Sequence, residues 1–148
     1  MSMQNTDKLI KKLKGIIFSL QYSTAGYLLA SKYVEDPAIK ESLLIYSRER
    51  SFYQLQLQHE IDKLGKDYTE DWEDELRQKT WDGIRNDFCL HSFLATCIKT
   101  EEKLIHKYKV SLQKITFYST LSLLLQNQLS GIEKSLIQIK YQHSLDQS

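Results

Sequence analysis

Glu101 is a carboxylate on a helix face that is otherwise built mainly from apolar residues. The residues Leu90, Leu94, Cys97, Glu101, Leu104 and Tyr108 recur at alternating spacings of four and three. That spacing is typical of the face that a helix packs into a bundle. A carboxylate on such a face is costly unless it is paired, hydrogen-bonded or bound to a metal ion. Glu101 therefore indicates either a metal site or a buried ion pair.

Four side chains could contribute to a metal site: Glu49, Glu101, Glu102 and His106. Four-helix bundles that hold two metal ions take one Glu from each of two helices and a Glu-x-x-His pair from each of the others. Here Glu49 is followed at the required spacing by Phe52, and Glu101 by Leu104. Neither apolar residue can bind a metal ion. The spacing favours a degenerate site without a metal, with bound iron or manganese as the alternative.

A buried polar layer is the second interpretation of the same residues. Arg50 lies on the core-facing stripe of the preceding helix, and its planar guanidinium can bind a carboxylate through two hydrogen bonds. Tyr27 and Tyr53 could supply further donors. We predict that the layer consists of Ser23, Glu49, Arg50, Glu101 and Gln128. It would fix the register of the helices at some cost in stability.

Four amphipathic segments carry these residues. We predict helices at about 6–34, 37–64, 83–112 and 115–143, a loop at about 65–82, and a single domain over 1–148. Asp36 and Pro37 suit the start of a helix, and Gly65 suits the end of one. The expected fold is all-α, an antiparallel four-helix bundle. A long two-helix coiled coil is the alternative, but the apolar stripes are wider than its two-residue seam requires.

Composition excludes several classes of protein. With 20 basic and 19 acidic residues, the chain lacks the basic excess of a nucleic-acid-binding surface. No apolar run approaches the roughly 20 residues of a membrane span, and no signal peptide is evident. Cys89 and Cys97 would lie roughly 12 Å apart on one helix, too far for a disulfide, which favours a cytoplasmic location. No phosphate-binding loop, nucleophile elbow or zinc motif is present, so we assign no catalytic or cofactor-binding residue.

Several short motifs together resemble a known family. They are Gly26-Tyr27, Arg48-Glu49-Arg50-Ser51-Phe52, Leu64-Gly65, Trp81 after an acidic segment, and Cys97-Ile98-Lys99-Thr100-Glu101-Glu102. Their order and spacing are similar to those of a bacterial ferritin-like family of small four-helix proteins, described as a domain of unknown function. The resemblance covers nearly the whole chain. It implies a ferritin-like bundle and a cytoplasmic protein, and it implies no established reaction.

Three functions are compatible with these observations. The favoured one is a non-catalytic protein that acts as a homodimer or through a protein partner, because apolar residues exceed the need of one seam per helix. We expect the following residues to supply the contact face: Ile17, Tyr22, Phe52, Phe88, Phe93 and Phe117. The alternatives are a metal-binding or oxidative-stress ferritin-like protein and a binder of small molecules near Ser23, Glu49 and Glu101.

Overall fold

Four long helices make up most of the structure. The structure, a computed structural model, describes residues 3–65, 81, 88–115 and 119–146, with the backbone alone for 3–5 and 119. The helices are α1 (Met3–Ser31), α2 (Pro37–Lys63), α3 (Leu90–Lys114) and α4 (Ser119–Leu145). No strand occurs within those ranges. None of the helices described is both long enough and apolar enough to cross a membrane.

The junction between α1 and α2 is set by the Asp36-Pro37 pair. The carboxylate of Asp36 caps α2 by accepting hydrogen bonds from the backbone N–H groups of Ala38 and Ile39. Because a residue before proline is driven out of the helical region, Asp36 is extended, with φ −65° and ψ 118°. The first helix ends at Ser31 rather than near the expected position 34, and the N–H groups of Lys32 and Tyr33 form turn hydrogen bonds after it.

The other helix boundaries differ from expectation by a few residues. Gly65 follows α2 with a positive φ of 79°, a conformation that suits a residue just past a helix end. Cys89 is extended at the N-cap position of α3, without a capping hydrogen bond from its side chain, and α3 begins at Leu90. The expected start near 83 lies outside the described residues. Ile115, the expected first residue of α4, lies outside the helices, and the described part of α4 begins at Ser119. The remainder of the predicted 65–82 loop, apart from Gly65 and Trp81, falls outside the described residues.

Contacts between the helices fix their directions. Tyr27 of α1 meets Glu101 of α3, and Ser19 meets Lys107, so these two helices are antiparallel. Tyr46 bonds Gln138, and Gln56 bonds Gln128, so α2 and α4 are also antiparallel. The short connection at 32–36 makes α1 and α2 antiparallel neighbours. Helices α2 and α3 consequently run parallel, and the end of α2 and the beginning of α3 lie at opposite ends of the bundle.

The core is divided into two clusters. The aliphatic cluster contains Leu9, Ile10, Leu13, Ile16, Ile17, Leu20, Leu57, Ile61, Leu104, Tyr108, Ile115, Leu121, Leu125, Leu129 and Ile132. The aromatic cluster contains Tyr27, Ala30, Val34, Leu43, Tyr46, Phe93, Leu94, Cys97 and Ile139, with Trp81 and Phe88 packed against it. Buried polar side chains lie between the two clusters. The antiparallel four-helix bundle expected from the sequence is confirmed.

Candidate functional site: a buried polar layer

Glu101 is completely buried in the middle of α3. Its oxygen Oε1 accepts a hydrogen bond from the Tyr27 hydroxyl of α1 at 2.5 Å. Its oxygen Oε2 accepts one from Nη2 of Arg50 on α2 at 3.1 Å. Both carboxylate oxygens thus have partners on neighbouring helices, and the carboxylate holds three of the four helices together.

Arg50 is the cation of the layer and is also completely buried. Its Nη1 donates to Oε1 of Glu49, and its guanidinium lies 6.0 Å from the ring centre of Tyr27. Burial is the largest single influence and acts to lower the pKa of Arg50, but Glu101, Tyr27 and Glu49 together outweigh it and raise the pKa above its ordinary value. The guanidinium is therefore a permanent internal positive charge, as expected for arginine. Its Nε has no hydrogen-bond partner among the described residues.

Glu49 carries the second negative charge, at the edge of the layer. Its side chain is 31% exposed, so water reaches the carboxylate. The Ser135 hydroxyl of α4 donates to Oε1 of Glu49 at 3.2 Å. Tyr53 also forms a hydrogen bond with Glu49, and burial together with this carboxylate raises the pKa of Tyr53. The Tyr53 hydroxyl comes so close to Gly131 that a Cβ at that position would overlap it.

The remaining titratable groups at the layer are held in their neutral forms. Burial, followed by the charge of Glu101, raises the pKa of Tyr27 well above 10.0. The same two causes raise the pKa of Cys97. At neutral pH, Tyr27 is therefore a hydrogen-bond donor and Cys97 is a thiol. A neutral thiol is a weak nucleophile, so burial makes Cys97 inert rather than reactive.

Gln128 belongs to a second polar network rather than to the one around Glu101. Its Oε1 accepts a hydrogen bond from the Tyr108 hydroxyl at 2.5 Å. Its Nε2 donates to the Tyr53 carbonyl at 3.2 Å and to Oε1 of Gln56 at 3.1 Å. Gln128 is buried on α4, and its partners lie on α2 and α3 at positions that helical spacing along α4 does not specify.

Ser23 lies beside Glu101 but does not bond to it. Its hydroxyl is buried and has no partner among the described residues. The space that it lines with Tyr27, Trp81, Cys97, Thr100 and Glu101 leaves no room for a water molecule. A small-molecule site centred on Ser23 and Glu101 would therefore require these side chains to move apart.

Trp81 covers this side of the layer. Its indole Nε1 donates to the Tyr22 carbonyl at 2.9 Å, and the indole stacks on the Tyr22 ring with a centroid distance of 4.5 Å. The ring lies so close to Gly26 that a Cβ there would overlap the indole. Gly26 and Trp81, which belong to separate sequence motifs, therefore pack directly against each other.

The four proposed metal ligands do not converge. The guanidinium of Arg50 lies between the carboxylates of Glu49 and Glu101 and binds both of them. Glu102 and His106 are exposed on α3, whereas Glu101 on the same helix is buried. Across 3–65, 81, 88–115 and 119–146, no group of three or more His, Cys, Asp or Glu side chains is placed to hold a metal ion. The chemistry of the described layer is that of charge pairing and hydrogen bonding.

Sequence reasoning missed two features, one at the layer and one at the end of the bundle. One is the Ser135 hydroxyl, which binds Glu49 and whose position on α4 gave no chemical signal. The other is a pair of stacked imidazoles at the end of the bundle, His91 and His143, with ring centroids 4.1 Å apart. Nδ1 of His91 is 2.7 Å from the carbonyl oxygen of Asp146. Since 52 residues separate the two histidines, only the folded topology could bring them together.

Comparison with known proteins establishes the fold. Neither a scan against protein-family models nor a search of curated proteins finds a match to this chain. Among solved structures, a mutant of Mycobacterium smegmatis Dps1 superposes with a TM-score of 0.79 at 15% sequence identity. The match covers 97% of this chain and 99% of that one. The chain therefore has the ferritin-like four-helix fold that its sequence motifs predict.

Proposed function

We propose that this chain is a non-catalytic ferritin-like bundle protein in which a charged polar layer stands where related bundles hold two metal ions. The observation that supports this proposal is the position of Arg50. Its guanidinium binds Glu49 and Glu101 at once, and Tyr27 binds the remaining oxygen of Glu101. A metal ion would need the same oxygen lone pairs. An internal arginine supplies the positive charge that a metal ion would otherwise supply.

Metal content is the direct test. The purified protein is loaded anaerobically with Fe(II) or Mn(II), desalted, and measured by elemental analysis beside Glu101→Gln, and beside His59→Ala as a control at an exposed position of α2. We expect each metal at background in all three proteins. About two metal ions per chain, lost in Glu101→Gln and retained in His59→Ala, would overturn the proposal.

The alternative is an altered metal or oxidative-stress protein, and one observation favours it. Glu49 and Glu101 do approach a common point, and Glu49 remains open to water. Such a protein would have to move Arg50 aside. Arg50→Gln tests this alternative, because it removes the competing cation while keeping a side chain of similar length. Metal binding by wild type supports the alternative, whereas binding only by Arg50→Gln supports an arginine that has replaced the metal.

We further propose that the protein acts by self-association or through a protein partner. Several large apolar side chains of the described helices are about half exposed or more, among them Phe52 at 57% and Ile137 at 69%. Sedimentation of the native protein over a wide concentration range tests self-association. A mass that rises with concentration supports it, and the mass of one chain throughout contradicts it.

Two further points remain predictions. Both cysteines are free, with Cys89 exposed and Cys97 buried, which is consistent with a reducing cytoplasmic location. Membership of the bacterial family named from the sequence motifs is supported by the shared ferritin-like fold. Fractionation of the source cells checks the location.

A further inference from the structure

An apolar groove opens on the surface between the first half of α2 and the last part of α4. Its volume is about 630 Å³. Its walls include Ile39, Leu43, Ile45, Ile139 and Tyr141, and Leu94 of α3 contributes from below. The Tyr46 hydroxyl reaches Oε1 of Gln138 across the two helices at 2.9 Å. The groove is thus a shaped apolar hollow with a polar bridge at its side.

The rim of the groove presents large apolar side chains to solvent. Ile45 is 49% exposed, Tyr141 is 65% exposed and Ile137 is 69% exposed. Single exposed apolar residues are ordinary, but a hollow and several projecting apolar groups on one face are typical of a contact surface. Water would be displaced from both the hollow and the projections when such a face is covered.

We propose that a second copy of this chain covers the groove, with the two copies related by a twofold axis. The inference rests on the self-association proposed above and names its surface. A twofold contact requires one patch to be complementary to itself. This patch meets the requirement because the groove and the projecting Ile137 and Tyr141 lie on the same face. Each copy can insert its projections into the hollow of the other.

The exposed apolar area of α2 and α4 suits a dimer. Seven side chains of these two helices are about half exposed or more: Ile45, Phe52, Leu55, Leu123, Ile137, Tyr141 and Leu145. At on the order of 100 Å² each, they present roughly 700 Å² per copy, near the roughly 800 Å² per partner of a stable interface. The walls of the groove add to this area.

Charges beside the groove are also complementary. Glu41 precedes the groove-lining Ser42 on α2, and Lys140 precedes Tyr141 on α4, and both charged residues are exposed. We place the twofold axis along the groove, parallel to the helices, because this orientation brings α4 of one copy towards α2 of the other and Lys140 of each towards Glu41 of its partner. The net charge of +1 per chain adds little repulsion between copies.

The test compares sedimentation of wild type, Ile137→Glu and the matched control Leu28→Glu. Leu28 is 46% exposed on α1, outside the groove. We expect wild type and Leu28→Glu to dimerise alike, and Ile137→Glu to raise the dissociation constant by about tenfold or more. Circular dichroism confirms that each variant is folded. The charge reversals Glu41→Lys and Lys140→Glu should each weaken the dimer, and the two together should restore it.

The possible results distinguish a failure of the groove interface from a failure of self-association, the proposal on which it rests. If wild type stays at the mass of one chain at every concentration, self-association and the groove interface both fail. If wild type associates and Ile137→Glu associates equally well, self-association stands and the groove interface is overturned. Loss of association in Leu28→Glu alone would place the contact on α1 and would likewise overturn the groove.

Discussion

The two core clusters differ in chemistry and in how completely the helices close around them. In the aliphatic cluster, leucine and isoleucine side chains such as Leu13, Leu57 and Ile61 are completely buried. In the aromatic cluster, ring contacts dominate, with Tyr27 lying 5.5 Å from Tyr46 and 6.3 Å from Phe93 between ring centroids. The groove opens beside the aromatic cluster, whose Leu43, Tyr46, Leu94 and Ile139 line it. Among the described residues, the aromatic half of the bundle therefore presents an open surface, whereas the aliphatic side chains named above are enclosed.

The polar layer lies where these two halves meet. Glu101 and Arg50 are completely buried there, although each could have been replaced by an apolar residue. A buried ion pair adds little net stability, because desolvation of the charges offsets their attraction. Its effect is on register: Glu101 must lie opposite Arg50 and Tyr27, so the three helices cannot slide past one another. The comparison suggests that the aliphatic cluster supplies stability and the layer supplies alignment.

The largest expected effect comes from removing one charge of the layer. Glu101→Leu leaves the Arg50 guanidinium with Glu49 alone and deprives the Tyr27 hydroxyl of its acceptor. We expect the free energy of unfolding to fall by about 3–5 kcal/mol, the usual cost of breaking a buried pair. Chemical denaturation measures it.

The double variant Arg50→Met with Glu101→Leu is the matched control. It removes both charges and fills the space with apolar side chains, so most of the lost stability should return. A double variant as unstable as the single one would show that the charges stabilise the fold outright. The register role would then lose its basis.

The second prediction compares equivalent truncations in the two clusters. Leu57→Ala in the aliphatic cluster should lower the free energy of unfolding by about 3 kcal/mol, because a closed core cannot collapse into the cavity. Leu43→Ala should cost about half as much, since Leu43 lines the groove and water can enter the space. Both leucines are nearly inaccessible, at 0% and 1% exposure. Equal losses in denaturation would contradict the distinction between a closed and an open half.

The third prediction concerns the aromatic side of the layer. Gly26→Ala places a methyl group where the Trp81 indole lies, so the ring must shift. Overpacking of this kind costs about 2 kcal/mol. The measurement is denaturation together with tryptophan fluorescence, in a Trp72→Phe background so that Trp81 alone reports. Gly15→Ala is the control, because a Cβ at Gly15 meets nothing within 4 Å. An unshifted emission maximum in Gly26→Ala would contradict the contact.

The periodicity of the apolar residues predicts the four-helix fold and the burial of the polar layer, but it does not predict the apolar contact surface. The spacing of four and three predicts that Glu101 and Arg50 face the core, and both are completely buried. Periodicity does not predict which of the surplus apolar residues stay exposed. Among the proposed contact residues that the structure describes, Ile17 and Phe93 are buried and only Phe52 is well exposed. Tyr22 and Phe88 take part in aromatic stacking. Phe117 lies outside the described residues.

Apolar residues beside the seam are used inside the fold because each helix of the bundle packs against two neighbours. The buried stripe of each helix is therefore wider than one seam. The groove could not be predicted either, because its width depends on the distance between α2 and α4. Hydrogen-bond partners such as Gln128 with Tyr108 depend on rotamers and axial offsets, which spacing along one helix does not contain.

The smallest predicted effect is on the pH dependence of the free energy of unfolding above pH 10, and it comes from Tyr108. Burial raises the pKa of Tyr108 well above its ordinary value of 10.0. In the unfolded chain this tyrosine loses its proton above pH 10, whereas in the folded protein it stays neutral. Its contribution to stability is thus complete below pH 10 and is lost as the pH rises towards the folded pKa.

Tyr108→Phe should therefore weaken the dependence of stability on pH. Between pH 10 and pH 11, the fall in the free energy of unfolding should be smaller than in wild type by about 1 kcal/mol. Denaturation of both proteins at pH 7 measures the separate loss of the hydrogen bond to Gln128, which does not vary over this range. Parallel curves from pH 10 to pH 11 would mean that water reaches Tyr108, and the aliphatic half of the bundle could then no longer be regarded as closed.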